Sequence, residues 1–291
     1  MTSNIILKGI GGFYYVRTED GIVECKAKGK FRNLSLSPLA GDVVDFEDDG
    51  STKIISKIYP RKNKFLRPPF ANLDLMVLVV STTEPSPNYL VIDKMCAIAA
   101  HKGVEVAVVI TKGDLWEYRT VHDIYQKAGF PVFFTGADDG EQLKALHELM
   151  KNKLCAFAGN SGVGKSTLLN KLFHSLDLQT NAISRKLGRG KHTTRQVEIF
   201  EIEGCMVADT PGFSSIELDY DNFISKDDLQ HAFTEFEEYI GTCKFNDCSH
   251  TGENGCAVKK AVEEGAIPTT RYESYLTLYD RQKSIKDWEQ K

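Results

Sequence analysis

Gly159-Asn160-Ser161-Gly162-Val163-Gly164-Lys165-Ser166 follows the strand-like run Lys153–Ala158 and opens a helical stretch, Lys165–Phe173. Gly-x-x-x-x-Gly-Lys-Ser on a strand–turn–helix frame reads as a phosphate loop. The glycines let backbone N–H groups curl around phosphate oxygens, and the helix N-terminus adds partial positive charge. In that frame Lys165 bridges the β- and γ-phosphates, and the Ser166 hydroxyl, followed by Thr167, ligates magnesium. The loop by itself fits an ATPase, a kinase or a GTPase.

Working outward, Asp209-Thr210-Pro211-Gly212 ends the apolar run Cys205–Ala208. A carboxylate at the C-terminal end of a strand beside the loop can hold magnesium, directly or through water. Gly212 can offer its N–H to a γ-phosphate with little obstruction. Between loop and Asp209 lies Leu187–Arg195, polar and glycine-rich, with Gly188, Gly190, Thr193 and Thr194. It suits a switch closing over magnesium, with Thr194 or Thr193 as the metal-sensing hydroxyl; a plain polar loop is the alternative.

Upstream stands Thr111-Lys112-Gly113-Asp114. A carboxylate at Asp114 can accept both N1–H and N2–H₂ of guanine, a donor pair adenine lacks. Lys112 can lie along base and ribose, and Gly113 permits the close approach. The usual first residue of this element is Asn; Thr111 keeps a hydrogen-bonding group and loses an amide donor. Thr135-Gly136-Ala137, after another short strand, can line the base with backbone N–H groups. Together these elements favour GTP over ATP. Their order is rotated: the base-reading element precedes the phosphate loop, where an ordinary GTPase domain has it last. Phe213 occupies the position where many small GTPases place a water-orienting Gln, so slow intrinsic hydrolysis is expected. His192 is the local candidate for the missing catalytic group beside Lys165, an exposed histidine without a catalytic role being the alternative, and a partner ordering the switch would complete the site.

The 291 residues suffice for two or three domains. With 42% hydrophobic and 26% charged residues the composition is that of a soluble globular protein. The net charge of -4 conceals an asymmetry. Residues 1–70 carry 12 Lys/Arg against 8 Asp/Glu, whereas 213–291 carry 9 against 16. A basic front is compatible with a nucleic-acid-facing surface. No export signal is evident, and Leu75–Val80, the longest apolar run, is too short to span a bilayer. Cys25, Cys96, Cys155 and Cys205 read as buried thiols, fitting a reducing cytoplasm.

Residues 1–68 show short strand-like runs, Gly12–Arg17, Ile22–Lys26, Asp42–Phe46 and Lys53–Ile58, with turns at Thr18–Gly21 and Asp48–Gly50. A small closed β-barrel is expected, because closure removes vulnerable edges. Lys57, Arg61, Lys62, Lys64 and Arg67 crowd before the boundary at Arg67-Pro68-Pro69. They read as a nucleic-acid contact or as a solvated linker. From Leu73 the rhythm becomes α/β. Strands are expected at Leu73–Val80, Val104–Ile110 and Pro131–Phe134, with helices at Tyr89–His101, Glu117–Ala128 and Gly140–Lys151. Val197–Ile202 and Cys205–Ala208 form a hairpin pair. This is a doubly wound, mostly parallel sheet over 69–220. The last part, 221–291, reads as helical, with helices at Lys226–Tyr239, Cys256–Glu264 and Arg271–Lys286.

Cys243-x₄-Cys248-x-His250-x₅-Cys256 gathers three sulfurs and an imidazole in fourteen residues. That donor set suits one tetrahedral, closed, structural zinc. Glu235, Glu237 and Glu238 nearby read as a solvated helix face.

The rotated order together with the zinc spacing resembles the ribosome small subunit-dependent GTPase A family of circularly permuted GTPases. The matching residues are Thr111–Asp114, Gly159–Thr167, Gly190-Lys191-His192-Thr193-Thr194, Asp209–Gly212 and Cys243/Cys248/His250/Cys256, across essentially the whole chain. The resemblance implies an OB-fold over 1–68, a permuted GTPase domain and a helical zinc domain. It implies GTP hydrolysis stimulated by the 30S subunit, contact with 16S rRNA, and a role in late maturation of that particle. It implies a cytoplasmic protein, a monomer away from the particle, with His192 assigned to hydrolysis. The competing expectations are a GTP-regulated factor on another ribonucleoprotein or membrane-associated complex, a nucleic-acid-binding module holding GTP structurally, and an ATP-dependent kinase.

Overall fold

The computed structural model describes residues 4–29, 31, 36–50, 52–112, 118–136, 139–173, 197–210, 213, 218 and 222–285. Five strands open the chain: β1 (Ile5–Ile10), β2 (Phe13–Thr18), β3 (Gly21–Ala27), β4 (Val44–Asp48) and β5 (Lys53–Ile58). Gly11 and Gly12 join β1 to β2 with φ +59 and +88, the paired positive angles that a tight two-residue hairpin demands. The strands run in the order β1-β2-β3-β5-β4. β3 and β5 are parallel, and an Ile5–Val43 bridge returns the sheet to β1. This is the closed, five-stranded OB topology expected for the front of the chain. Its interior is Ile6, Val16, Cys25, Phe31, Val44 and Ile55. β1 itself, Ile5–Ile10, was not among the runs the sequence singled out.

A short hairpin, β6 (Lys64–Leu66) with β7 (Pro69–Ala71), follows. Then come β8 (Leu75–Ser81), α1 (Tyr89–His101), β9 (Glu105–Thr111), α2 (Tyr118–Lys127), β10 (Val132–Phe134), α3 (Gly140–Met150), β11 (Leu154–Ala158) and α4 (Lys165–Leu172). The hairpin β12 (Glu198–Ile202) and β13 (Cys205–Asp209) completes the α/β part. Hydrogen bonds order the strands β10-β9-β8-β11-β13-β12. β10 runs parallel to β9, β11 parallel to β13, and β12 antiparallel to β13 as an edge. All seven residues of β8 and all five of β11 are buried, which is why both read as unbroken apolar runs. Asn88 caps α1 by accepting from the Val91 N–H at 3.2 Å.

By contacts the chain divides into two compact units. One contains Met1–Met76, Lys144–Ala158 and Lys165–Ser214; the other contains Val77–Leu143, Gly159–Gly164 and Ser215–Lys291. In the first, Lys8 pairs with Glu198 at 2.7 Å and Arg17 with Glu201 at 3.8 Å, fastening the barrel to β12.

The second unit ends in α5 (Leu229–Ala232), a 3₁₀ turn (Thr234–Phe236), α6 (Ala257–Glu263) and α7 (Thr269–Ser284). The single helix expected over Lys226–Tyr239 is therefore not formed. Phe233, at φ −100 and ψ 85, breaks it, and Leu229, Phe233 and Phe236 are buried instead of lying along one helix face. Glu235 is likewise not on a solvated face. Its side chain is 4% exposed and grips Arg271, whose Nε and Nη2 donate to the carboxylate at 2.6 and 2.9 Å. Arg271 Nη1 reaches Asp93 Oδ1 at 2.9 Å, and the Tyr125 hydroxyl donates to the same oxygen at 3.0 Å. Burial alone would lower the Arg271 pKa, but Glu235 and Asp93 raise it well above its ordinary value. The buried cluster ties α7 to α1 and α2.

Candidate functional site

The chain leaves β11 through Gly159, whose φ is +133. A Cβ there would stand 2.2 Å from the Val79 carbonyl oxygen, so the backbone of the loop lies directly on β8. Gly162 and Gly164 also have positive φ, +83 and +97. α4 then starts at Lys165, and Ser166 and Thr167 are exposed in its first turn. Burial pushes the Lys165 amine below its ordinary value, a cost that a neighbouring anion would offset. Asn160 and Ser161 complete the turn.

Asp209 is the last residue of β13. Ala156 on β11 lies opposite Ala208, so Asp209 sits one position further, at the C-terminal edge of the strand beside the one that feeds the loop. The base-reading element begins at Thr111, the last residue of β9, which is 5% exposed. Its hydroxyl donates to the Val163 carbonyl at 2.6 Å, with the Val80 carbonyl at 3.3 Å. Lys112 adopts φ +60, and its ammonium donates to the Glu84 carbonyl. The Thr135 N–H pairs with Ile110 O at 2.8 Å, and the Gly136 N–H with the Asp139 carboxylate at 3.2 Å. Gly113, Asp114, Ala137, Gly212 and the segment Leu187–Arg195, with His192, Thr193 and Thr194, lie outside the described residues.

The four soft donors do converge. One ligand atom from each of Cys243, Cys248, His250 and Cys256 lies within 4.8 Å of the others, and all but the half-buried Cys243 are buried. His250 turns Nδ1 to the sulfurs, 3.6 Å from Cys243 Sγ and 3.4 Å from Cys256 Sγ. Its Nε2 is 2.9 Å from Gln230 Oε1, an acceptor that fixes the proton on Nε2 and leaves Nδ1 for a metal. N–H groups of Ala257 and Lys259 point at Cys243 Sγ and Cys256 Sγ at 3.2 and 3.4 Å. Burial pushes the Cys248 thiol up to about 12, so a cation is needed to hold it as thiolate. Three sulfurs and one imidazole at this spacing fit a closed tetrahedral zinc site.

The loop carrying His250 is held by Glu253. Its carboxylate accepts from Ser249 N at 2.9 Å, Ser249 Oγ at 2.6 Å, Thr251 N at 3.0 Å and Gly252 N at 3.0 Å. Burial opposes ionisation, yet these donors hold the carboxyl well below the usual range. Neither Gln230 nor Glu253 was singled out by sequence. Gln230 lies twenty positions before His250, and no local pattern marks it.

Of the five front cations, Arg61 makes a two-pronged contact with the fully buried Asp42, Nε–Oδ1 and Nη2–Oδ2 both 2.7 Å. Lys62 pairs with Asp74 at 2.8 Å. Lys57 sits over the Tyr59 ring at 4.1 Å, and Lys64 and Arg67 are exposed. The unassigned thiols Cys25, Cys96, Cys155 and Cys205 are buried, as expected. No helix among the described residues is long and apolar enough to cross a membrane.

A phosphate loop placed after the base-reading strand, an OB barrel before it and a Cys₃His cluster behind it define a circularly permuted GTPase. The chain matches the family models for the RsgA N-terminal domain over residues 4–55 and for the RsgA GTPase over 58–219. It belongs to the RsgA family of circularly permuted GTPases. A protein of Caldanaerobacter subterraneus named small ribosomal subunit biogenesis GTPase RsgA is 43% identical over 281 residues, 94% of this chain and 93% of that one. A Halalkalibacterium halodurans protein of the same name is 41% identical over 98% of each chain. The crystal structure of YjeQ from Thermotoga maritima superposes with a TM-score of 0.81 at 31% identity, covering 98% of this chain and 99% of that one. That of YloQ, described as a circularly permuted GTPase, gives 0.80 at 32% identity, with 98% and 96% covered.

Proposed function

We propose that the protein hydrolyses GTP on the small (30S) ribosomal subunit and couples that hydrolysis to late maturation of the particle and to its own release. The observation that carries this reading is similarity over the full length, 98% of both chains, to a relative named for small-subunit biogenesis. Three parts divide the work: 1–68 as an OB-fold facing 16S rRNA, 69–220 as the switch, and 221–291 as a zinc-stapled helical part.

The nucleotide is held by the loop N–H groups from Gly159 to Thr167 and by Lys165, with Thr111–Asp114 and Thr135–Ala137 around the guanine and Gly212 near the γ-phosphate. Ser166, Asp209 and a threonine at 193 or 194 would hold magnesium, which neutralises charge developing on the phosphates. The charge on Lys165 serves the same end, and His192 is the candidate for orienting water. The candidates for rRNA are the basic residues Lys57, Arg61, Lys62, Lys64 and Arg67, of which Arg61 and Lys62 also pair with carboxylates of the protein. The protein acts in the cytoplasm and is a monomer away from the particle.

The test is GTP turnover with purified 30S subunits, with 50S subunits and without ribosomes, for wild type and Lys165→Ala. Stimulation by 30S alone that K165A abolishes is the expected result. Equal, negligible turnover throughout would overturn the reading.

A further inference from the structure

Glu198 lies directly opposite Asp209 in the β12–β13 hairpin. Opposite residues of an antiparallel pair project from the same face, with Cβ atoms about 4.5–5.5 Å apart, and like charges so placed repel. The hairpin thus sets a second carboxylate beside the one read as a magnesium ligand. The barrel meets it with a cation: Lys8 Nζ stands 2.7 Å from Glu198 Oε1.

Regular alternation along β1 would not put Lys8 there. Ile6, two residues earlier, is fully buried in the barrel interior, and an unbroken strand would turn Lys8 the same way. The register slips between them: Ile6 pairs with Val16, but Lys8 pairs with Tyr15 where Tyr14 would be due. Such a bulge re-aims the side chains beyond it. Val16 belongs to the interior, so its neighbour Tyr15 faces outward, and Lys8 with it. The Lys8 ammonium lies over the Tyr15 ring, 5.2 Å from its centre, a contact that holds it on that side. The other ion pair between barrel and hairpin differs in place. Arg17 reaches Glu201 at 3.8 Å, and Glu201 is opposite Met206, on the other face of β12 from Glu198.

We infer that Lys8, a residue of the barrel, is a positioning residue for the magnesium end of the nucleotide site, acting through Glu198. It draws the Glu198 carboxylate toward the barrel and offsets its charge, so that Asp209 is the carboxylate that serves the metal. This rests on the reading of Asp209 as a magnesium ligand and extends it to the first strand of the chain. The barrel thereby sets part of the charge felt at the nucleotide.

Binding of a fluorescent GTP analogue titrated with magnesium, read as the half-saturating magnesium concentration, separates a charge role from mere fastening. Lys8→Met removes the cation and makes the metal end more negative, so half-saturating magnesium should fall about three- to tenfold. Glu198→Gln keeps the cation and removes the anion, so the value should rise by about the same factor. The double variant is neutral at both positions and should return to within about twofold of wild type. Arg17→Met loosens the barrel without changing the charge opposite Asp209, and should leave the value where it is. K8M and E198Q shifting in the same direction, or neither shifting, overturns the inference, as does R17M shifting like K8M. Asp209→Asn tests the underlying reading separately. It should raise half-saturating magnesium, and an unchanged value overturns the reading of Asp209 and this inference with it.

Discussion

The Phe213 ring stands edge-on to Phe65, centroids 5.4 Å apart at 75°, and meets Phe70 in the same way at 5.3 Å and 72°. Phe65 and Phe70 are themselves stacked at 4.9 Å across the β6–β7 hairpin, and none of the three is more than 1% exposed. The residue after the Asp209–Gly212 element is therefore an anchor in an aromatic cluster. Sequence showed only that a glutamine was missing; the packing shows what the aromatic does instead.

Phe213→Ala removes one ring of three and is expected to cost about 3–5 kcal/mol in chemical denaturation. Phe213→Gln tests function. If the position faced the nucleotide, glutamine would raise turnover without ribosomes. Facing the hairpin, it strands an amide among apolar rings, a loss of about 1–3 kcal/mol. The expected outcome is a lower melting temperature and no gain in ribosome-free GTP turnover.

The loop glycines differ in what they tolerate. At Gly159 a methyl group would collide with Val79 O at 2.2 Å, whereas at Gly162 the nearest atom is Pro85 Cδ at 3.9 Å. Both have positive φ, so each alanine variant carries backbone strain of about 1–3 kcal/mol. Only Gly159→Ala adds a backbone collision. Titration with a fluorescent GDP analogue is expected to show G159A without measurable binding and G162A weakened but saturable. Similar affinities for the two would disprove the steric argument.

Gln230 gives the metal site a test that does not depend on GTP. Gln230→Leu leaves the four ligands and removes the acceptor that orients His250 through Nε2. Competition with a chromogenic chelator is expected to show zinc affinity reduced roughly 10- to 100-fold. Cys248→Ser should abolish stoichiometric zinc in metal analysis. Unchanged affinity in Q230L would mean that packing around the loop, including the Tyr272 hydroxyl on His250 O at 2.8 Å, orients the ring alone.

Local chemistry made much of the molecule legible in advance. The phosphate loop, its fully buried feeding strand and the Cys₃His spacing each depend on residues close in sequence, and the structure places them within a residue or so of expectation. The α1 limits, Tyr89–His101, match the expected run, and Asn88 caps its start. What failed to show was set by distant partners. Helical periodicity over Lys226–Tyr239 lost to the burial of Phe233 and Phe236 against Tyr275, at 5.4 and 4.9 Å. The bond from Arg61 to Asp42, nineteen residues away, had no local signal either. The hydroxyl of Thr111 finds its acceptor fifty-two residues on, and no pattern in the chain announces such a pairing.

The Arg271 cluster offers the sharpest stability prediction. Arg271 and Asp93 side chains are both 0% exposed, Glu235 is 4% exposed, and the guanidinium lies 4.6 Å from the centre of the Phe233 ring. Removing the cation leaves two carboxylates with no counter-charge in an apolar surround. Arg271→Met is thus expected to destabilise the protein by about 3–5 kcal/mol, far more than loss of a surface ion pair. Neutralising the carboxylates as well, in Arg271→Met with Asp93→Asn and Glu235→Gln, removes the stranded charges and should recover part of that loss. Urea denaturation of the wild type, the single variant and the triple variant measures both effects. A triple variant no more stable than R271M would show that the cost is lost packing against Phe233 and Phe130, and not uncompensated charge.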